Sequence, residues 1–188
     1  MSRTTVAQVL RATKSPSEIV VKGWVRTKRD SKAFSFIEIN DGSCMSNLQI
    51  IADNDIDGYE EVIPLLRTGA SVAVTGEVVE SQGKQKWEMQ AKSVELLGES
   101  EEDYPLQKKG HSTEFLRSIA HLRPRTNLFG AVFRMRSRMA YAIHQFFQER
   151  GFVYVHTPII TASDCEGCLL YTSPSPRDQR GSRMPSSA

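Results

Sequence analysis

The stretch Ile19–Asp53 reads IVVKGWVRTKRDSKAFSFIEINDGSCMSNLQIIAD and decides the fold. It contains three runs rich in valine, isoleucine, phenylalanine and tryptophan, and turn residues separate these runs. This pattern predicts three β-strands joined by short loops. The predicted strands are Ile19–Arg26, Ala33–Asn40 and Asn47–Ala52.

The second and third predicted strands each carry two different faces, because successive side chains of a strand point to opposite sides. In the second strand one face holds Ser35, Ile37 and Ile39, and the other holds Phe34, Phe36 and Glu38. The isoleucine face suits a core. The opposite face carries a charge and is expected to meet water, and Gln49 of the third strand is expected to point outward in the same way.

Four cations lie where the first strand gives way to the second: Arg26, Lys28, Arg29 and Lys32. Outward aromatic rings beside arginine and lysine are typical of surfaces that bind single-stranded nucleic acid, because bases stack on the rings and the cations contact phosphates. Two alternatives stay open at this point. A pair of phenylalanines on one strand is more often part of a barrel core, and a basic cluster is more often a solvated loop.

The order of the elements indicates a small barrel. A short helix is predicted over Thr4–Ala12 and another over Tyr59–Arg67, interrupted or started at Pro64. Two further alternating strands follow, Ser71–Glu80 and Lys86–Leu97. Three strands, a short helix and two strands are the element order of the OB-fold, a five-stranded Greek-key barrel that binds oligonucleotides.

The second half of the chain has a different pattern. Residues 1–99 are assigned to the barrel and residues 100–126 to an acidic, then proline-containing linker that acts as a hinge. The apolar spacing predicts that the longest helix extends over Asn127–Arg150, with Asn127 as its cap and Gly151 at its end. A strand is predicted over Phe152–Val155. The helix has a broad apolar face, formed by Leu128, Phe129, Val132, Phe133, Met135, Met139, Ile143, Phe146 and Phe147. One small barrel cannot cover such a face, so it requires a larger domain or a second subunit.

The composition narrows the class of protein. The chain has 188 residues, a net charge of +2 and 39% hydrophobic residues, which is enough for one domain or a small domain with part of another. No apolar run is long enough to span a bilayer. Three cysteines, Cys44, Cys165 and Cys168, lack the spacing of a disulfide framework and favour a reducing compartment. The first seventeen residues faintly resemble a presequence, but they lead directly into the first strand. We therefore expect a structured arm and a cytoplasmic location.

Three motifs follow one another along the chain: KGWVRTKRDSKAFSFIEINDGS, HLRPRTN and ERGFVYVHTPIITASDCEG. Together they resemble the asparaginyl-tRNA synthetases, which belong to the class II subgroup that also contains the aspartyl and lysyl enzymes. The resemblance covers about Thr5–Gly167. It implies an anticodon-binding OB domain, a hinge and a catalytic domain that uses ATP and Mg²⁺, with tRNA as partner and a homodimer as the assembly. The alternatives are a stand-alone OB nucleic-acid-binding module, an aspartyl-type enzyme, and an interaction protein whose long helix pairs with a partner.

The resemblance also implies roles for residues of the barrel. An aromatic ring at Phe36 would stack on the central anticodon base, and Gln49 would read the edge of that base. Both residues lie on the outward face derived from strand alternation. The nearby cations Arg26, Lys28 and Arg29 complete the predicted anticodon-binding site.

Further roles fall in residues 127–167, which the resemblance identifies as the start of the class II catalytic domain and its first motif. The end of the long helix, with Gly151, Phe152 and Pro158, would belong to the dimer interface. Glu166 would belong to a mobile loop that closes over the amino acid.

The resemblance stops after Gly167. Residues 168–188 read CLLYTSPSPRDQRGSRMPSSA, with no leucine, isoleucine, valine or phenylalanine after Leu170. Such a segment cannot bury a core, so we expect it to be disordered. We interpret it as foreign sequence at the end of an incomplete gene; a genuine basic tail is the alternative.

The sequence assigns no catalytic residue and no metal site. The second and third motifs of the class II enzymes do not occur in the chain, so we expect that this polypeptide does not bind ATP or Mg²⁺. Cys165 and Cys168 have a metal or redox spacing but lack a second pair. We therefore expect an N-terminal fragment of an asparagine–tRNA ligase that keeps anticodon binding and is inactive alone.

Overall fold

The computed structural model describes residues 3–15, 17–81, 83 and 85–157. Its elements are α1 Val6–Arg11, β1 Ile19–Asp30, β2 Phe34–Asn40, β3 Leu48–Asp53, α2 Tyr59–Val62, a 3₁₀ turn Ile63–Leu65, β4 Ser71–Glu80, β5 Trp87–Gly98, α3 Thr113–Ser118, a 3₁₀ turn Arg123–Arg125 and α4 Asn127–Gln148. The chain divides into two compact units, residues 1–139 and the residues from 140 on, which are described separately. Helix α4 begins in the first unit and ends in the second.

The five strands close into a barrel in the order β1-β2-β3-β5-β4, and β4 pairs back with β1. Neighbouring strands are antiparallel except β3 and β5, which are parallel. This arrangement confirms the OB-fold that the element order predicted. Pro64 lies in the first turn of the 3₁₀ segment that follows α2, where its missing N–H leaves no hydrogen bond unmade.

Aliphatic side chains from all five strands fill the barrel. Ile37 and Ile39 of β2 are completely buried, whereas Phe36 and Glu38, which alternate with them along the strand, are half-buried, as the alternation predicted. The large core residues of the strands are Val21, Val25, Ile37, Ile39, Leu48, Ile50, Val72, Val74 and Met89. Burying each of these side chains contributes about 1.5–3 kcal/mol, so the barrel interior is the main source of stability.

Helix α1 covers one end of the barrel and confirms the predicted structured arm. Val6 and Val9 are completely buried within the barrel core. The Thr5 side chain caps the helix through a capping box. The indole Nε1 of Trp87 donates a hydrogen bond of 2.9 Å to the carbonyl oxygen of Ala12, just past the helix end.

Asp41 ties α1 to the turn that follows β2. Its carboxylate accepts hydrogen bonds from the backbone N–H of Val6 at 3.1 Å, the backbone N–H of Ser43 at 3.0 Å and the guanidinium of Arg3 at 3.3 Å. Burial alone would raise the pKa of this carboxyl. The hydrogen bonds from Ser43, Val6 and Arg3 outweigh that effect and hold the pKa below its ordinary value.

Strand β1 continues to Asp30, four residues beyond its predicted end. The strand extends this far because β2 pairs with it along this length, and Asp30 still lies opposite Ser35. Arg26, Lys28 and Arg29 therefore lie on a strand, and the interpretation of these cations as a loop is wrong.

Helix α4 begins as predicted at Asn127, but the residue that caps it is Thr126. The backbone of Thr126 is extended, and its Oγ1 accepts a hydrogen bond of 3.4 Å from the N–H of Phe129. Its carbonyl oxygen accepts from the N–H of Gly130 at 2.8 Å. Asn127 is already helical, so the expectation that it caps the helix is wrong.

The apolar residues of α4 in the first unit have two different environments. Phe129 and Phe133 are half-buried beside Arg123, whose Cζ lies 5.1 and 5.6 Å from the two ring centroids. The others are between 42% and 63% exposed: Leu128, Val132, Met135 and Met139. These four side chains form what we call the α4 stripe, and it lies open in the described part of the chain.

In the second unit the end of α4 has the geometry that its glycine predicted. Gly151 has a φ of 81°. Its N–H donates to the carbonyl of Gln148 at 3.0 Å, and the N–H of Phe152 donates to the carbonyl of Phe147 at 3.1 Å. The rings of Phe147 and Phe152 meet edge to face, with centroids 5.4 Å apart. This is a Schellman motif with its accompanying apolar contact.

The predicted strand Phe152–Val155 is not formed, because residues 152–157 have no regular hydrogen-bonding pattern. A strand exists only beside a partner strand, and the described residues of the second unit offer none. Pro158, Glu166 and the tail 168–188 lie outside the described residues. Among the residues that are described, no helix has the length and apolarity needed to cross a membrane.

Candidate nucleic-acid interface

The outward face of β2 and β3 carries the two residues that the sequence analysis assigned to base recognition. Phe36 lies opposite Ile51, and Glu38 lies opposite Gln49. Phe36 and Gln49 are therefore diagonal neighbours on one face, with Cα atoms about 7–8 Å apart. Both are half-buried, so they are fixed by their neighbours and still reach solvent.

An aromatic and cationic cluster forms one side of this face. The rings of Phe34 and Phe36 meet edge to face, with centroids 4.9 Å apart. Arg29 of β1 lies opposite Phe36 in the ladder, and its Cζ is 5.5 Å from the Phe36 ring centroid. The cluster combines a ring on which a base can stack with a cation that can contact a phosphate.

A hydrogen-bonded polar network forms the other side. Nε2 of Gln49 donates to Oε2 of Glu88 at 3.2 Å, and the same oxygen accepts from Oγ of Ser81 at 2.8 Å. Beside it, Nδ2 of Asn47 donates to Oε2 of Glu38 at 3.1 Å. Glu88 is only 9% exposed, so the carboxylate that accepts from the amide of Gln49 is itself held in place by its surroundings. The Oε1 of Gln49 receives no hydrogen bond from another described residue and can accept one from a base.

Glu88 was not among the site residues predicted from the sequence. The alternation of β5 placed it on the outward face, but it gave no sign that Gln49 is its neighbour. The two residues are 39 positions apart and meet because β3 and β5 are parallel neighbours in the barrel. The contact could have been predicted only by assuming the Greek-key strand order, which makes β3 and β5 neighbours.

The structure separates the three predicted cations. Arg29 alone joins the cluster on the outward face. Lys28 lies opposite buried Ile37, and its Nζ donates to the carbonyl of Ile63 at 2.8 Å with only 18% of the side chain exposed. Arg26 lies at a bulge in β1, and its Nη1 donates to the carbonyl of Arg125 at 2.6 Å. Lys28 and Arg26 are thus directed away from Phe36.

The remaining predicted sites are not brought to this face. Gly151 and Phe152 belong to the end of α4 in the second unit, while Pro158 and Glu166 lie outside the described residues. Cys165 and Cys168 lie there as well. Within the described ranges, no group of three histidine, cysteine, aspartate or glutamate side chains is arranged to hold a metal ion.

Two family models match the chain. Residues 19–97 match the OB-fold nucleic acid binding domain, and residues 112–178 match the tRNA synthetases of class II (D, K and N). The first match coincides with the barrel. The second begins at the cap of α3, includes all of α4 and extends into the segment 168–188.

Comparison with curated relatives also indicates a tRNA synthetase of this class. The asparagine–tRNA ligase of Nitratidesulfovibrio vulgaris is 59% identical over 169 residues, which is 89% of this chain and 36% of the relative. The asparagine–tRNA ligase of a Nostoc species is 58% identical over 164 residues, or 86% of this chain and 35% of the relative. The chain spans about a third of the length of these curated relatives.

Solved structures agree on the fold. The asparaginyl-tRNA synthetase of Pyrococcus horikoshii complexed with asparaginyl-adenylate has a TM-score of 0.74 at 21% identity, covering 87% of this chain and 38% of that one. A putative aspartyl-tRNA synthetase of Leishmania major has a TM-score of 0.72 at 21% identity, covering 86% and 35%.

The barrel with its outward aromatic face, followed by a class II segment, defines part of a class II aminoacyl-tRNA synthetase of the aspartyl, lysyl and asparaginyl group. Within this group the chain is most clearly related to the asparagine–tRNA ligases, because it is 59% identical to one of them over 89% of its own length. The chain belongs to the asparaginyl-tRNA synthetase family.

Proposed function

We propose that the chain is part of an asparagine–tRNA ligase and that its barrel binds the anticodon loop of the tRNA. In this reaction asparagine and ATP give an adenylate, from which the asparaginyl group passes to the tRNA. The observation that carries the proposal is the outward face with Phe36 and Gln49, in a chain 59% identical to ligases of this kind.

The described residues supply recognition and no chemical step. The class II family uses ATP and Mg²⁺, but no described cluster of carboxylate, histidine or cysteine side chains fits a cation. Our proposal that the polypeptide alone is inactive rests on its sequence, in which the second and third class II motifs do not occur. ATP–pyrophosphate exchange by the purified chain should be absent at any asparagine concentration, and exchange above the level of an enzyme-free control would contradict this.

On the barrel, the Phe36 ring provides the stacking surface for the central anticodon base. The amide of Gln49, held by Glu88, presents Oε1 toward the edge of that base, and Arg29 contacts the adjoining phosphate. Stacking of one base on an aromatic ring contributes about 1–3 kcal/mol. Lys28 acts indirectly, because its ammonium group holds the end of β1 against the 3₁₀ turn at Ile63.

Binding of the full chain to an RNA hairpin with a GUU anticodon loop tests this assignment. Phe36→Ala should weaken binding about 5- to 150-fold, which corresponds to about 1–3 kcal/mol. Phe115→Ala is the matched control, because it removes an exposed phenylalanine from α3, outside the barrel. Equal loss in the two variants, or no loss in Phe36→Ala, would remove Phe36 from the interface.

The whole enzyme would work as a homodimer in the cytoplasm, with Gly151, Phe152 and Pro158 at the subunit interface. The support is the exposed apolar surface of α4, which continues beyond the first unit with Ile143 at 59% exposure. Sedimentation should show that the chain self-associates and that Ile143→Glu makes it monomeric. A wild-type chain that is monomeric at all concentrations would contradict the dimer.

Glu166 belongs to the same proposal, as part of the loop over bound asparagine. In an enzyme that contains the complete catalytic domain, Glu166→Gln should raise KM for asparagine. The KM for tRNA should stay unchanged, because the anticodon is bound by the barrel. An unchanged KM for asparagine would exclude this role.

A further inference from the structure

A groove of about 800 Å³ lies in the first unit, between one end of the barrel and the beginning of α4. The 3₁₀ turn Arg123–Arg125 forms part of its wall. Four arginines line the groove: Arg26, Arg125, Arg134 and Arg138. No aspartate or glutamate lines it, so four positive charges share one concave surface.

Three of these guanidinium groups are held in place by uncharged partners. Nη1 of Arg26 donates to the carbonyl of Arg125 at 2.6 Å. Nη1 of Arg125 donates to the hydroxyl of Tyr104 at 3.1 Å, and its Cζ lies 4.8 Å from the Trp24 ring centroid. Nη2 of Arg134 donates to the carbonyl of Gly42. The arginines are therefore positioned, while their charges stay unneutralised.

The nearest acidic residue along the groove wall does not change this balance. Asp41 precedes Gly42, but its carboxylate is turned toward Arg3 and the start of α1 and has a side-chain exposure of 0%. None of the ion pairs among the described residues includes a groove arginine. For Arg138, no hydrogen bond to another described residue is present either, so its guanidinium is available to a ligand.

The groove adjoins the proposed anticodon face. Asn40 at the end of β2 and Asn47 just before β3 line it, and each is two residues from Glu38 or Gln49. At about 3.3 Å per residue, the end of β2 lies about 13 Å from Phe36. A strand of RNA with one base on Phe36 can therefore continue along β2 into the groove.

We infer that this arginine groove binds the phosphate backbone of the tRNA strand that continues from the anticodon loop. A guanidinium group can donate two parallel hydrogen bonds to two oxygens of one phosphate. A cleft lined by positive charges also attracts a polyanion from a distance. The contact reads no bases, so it adds affinity without adding sequence specificity. The inference rests on the proposed function, because it takes the bound RNA to be the same tRNA.

The test compares charge-removing variants of α4 in the full chain. Arg134→Gln and Arg138→Gln remove groove charges, and Arg136→Gln removes an exposed charge of the same helix that does not line the groove. Binding of an anticodon stem-loop is measured from about 50 to 200 mM salt. We expect the slope of log K against log salt to fall by about one for each groove variant and to stay unchanged for Arg136→Gln.

A second arm replaces the central anticodon base. The groove variants should weaken binding by the same factor for both RNAs, because their contacts are to phosphates. Groove variants that behave like Arg136→Gln would overturn the inference, and if Phe36→Ala still weakened binding the proposed function would stand. Absence of RNA binding by the wild-type chain would remove the proposed function and the groove inference with it. Unchanged thermal unfolding of the variants shows that the fold is intact.

Discussion

The barrel and helix α4 use the same kinds of apolar residue in opposite ways. The barrel encloses its own, so that Ile37 and Ile50 are completely buried, whereas Met135 and Met139 of the α4 stripe are 63% and 59% exposed. A closed sheet leaves no open edge, and helix α1 completes its core at one end. A single amphipathic helix cannot do so, and its exposed apolar face indicates a partner surface. The barrel thus buries its apolar side chains, whereas α4 leaves its apolar stripe exposed, as expected of the proposed subunit interface.

Truncating one apolar side chain in each of these two regions should change the free energy of unfolding by very different amounts. Ile37→Ala should lower the free energy of unfolding by about 2–5 kcal/mol, because it leaves a cavity in a closed core. Met139→Ala, made in the monomeric Ile143→Glu background and compared with that parent, should change it by less than about 0.5 kcal/mol, because the side chain is exposed in the single chain. Denaturant unfolding of both variants measures the two values. A large loss in this monomeric background would mean that another part of the same chain covers the stripe.

A smaller effect concerns how the barrel holds α1. The pKa of Asp41 is lower in the folded state than its unfolded value of about 3.9, so its stabilising effect is complete above that pH. It is lost as the pH falls from about 4 through the lowered folded pKa. Asp41→Asn should cost about 1–3 kcal/mol at pH 7, through lost hydrogen bonds to a charged acceptor.

Urea unfolding at several pH values checks this sign. The difference in stability between the wild type and Asp41→Asn should shrink as the pH falls below about 4. A difference that stayed constant down to pH 2 would show that the carboxylate of Asp41 does not titrate with folding.

The smallest effect is local to α4. Thr126→Ala should destabilise the helix start by about 1 kcal/mol, because it removes the cap to Phe129. Asn127→Ala should cost nothing measurable, because Asn127 is already in the first turn. Helix content and amide exchange near residue 127 distinguish the two variants. If Asn127→Ala destabilised the helix start more than Thr126→Ala, Asn127 would be the cap, as the sequence analysis predicted.

Local patterns in the sequence predicted much of the barrel. The faces of β2 followed from alternation alone, so Ile37 was placed inside and Phe36 outside without any knowledge of the partner strands. Gly151 was recognised as a helix end because only a few residues adopt its backbone conformation readily. These predictions hold because they depend on residues a few positions apart.

Predictions that depended on distant partners were less successful. Strand β1 was ended at Arg26, yet pairing with β2 extends it through a polar stretch that has little strand propensity of its own. The strand Phe152–Val155 was predicted from composition, and the described residues of the second unit offer it no partner strand. The bond from Gln49 to Glu88 joins two strands that are distant in the chain, and no local pattern encodes such a contact.

Anticodon recognition by the barrel requires that Gln49 reads the same base that stacks on Phe36, and RNA binding can measure this. Wild-type chain and Gln49→Ala are titrated with a GUU anticodon hairpin and with one in which only the central base is changed. We expect the wild type to prefer the GUU loop by about tenfold or more, equivalent to about 1.4 kcal/mol, and Gln49→Ala to bind both loops equally. Equal binding of the two loops by the wild type would contradict anticodon recognition and leave a barrel that binds RNA without reading it.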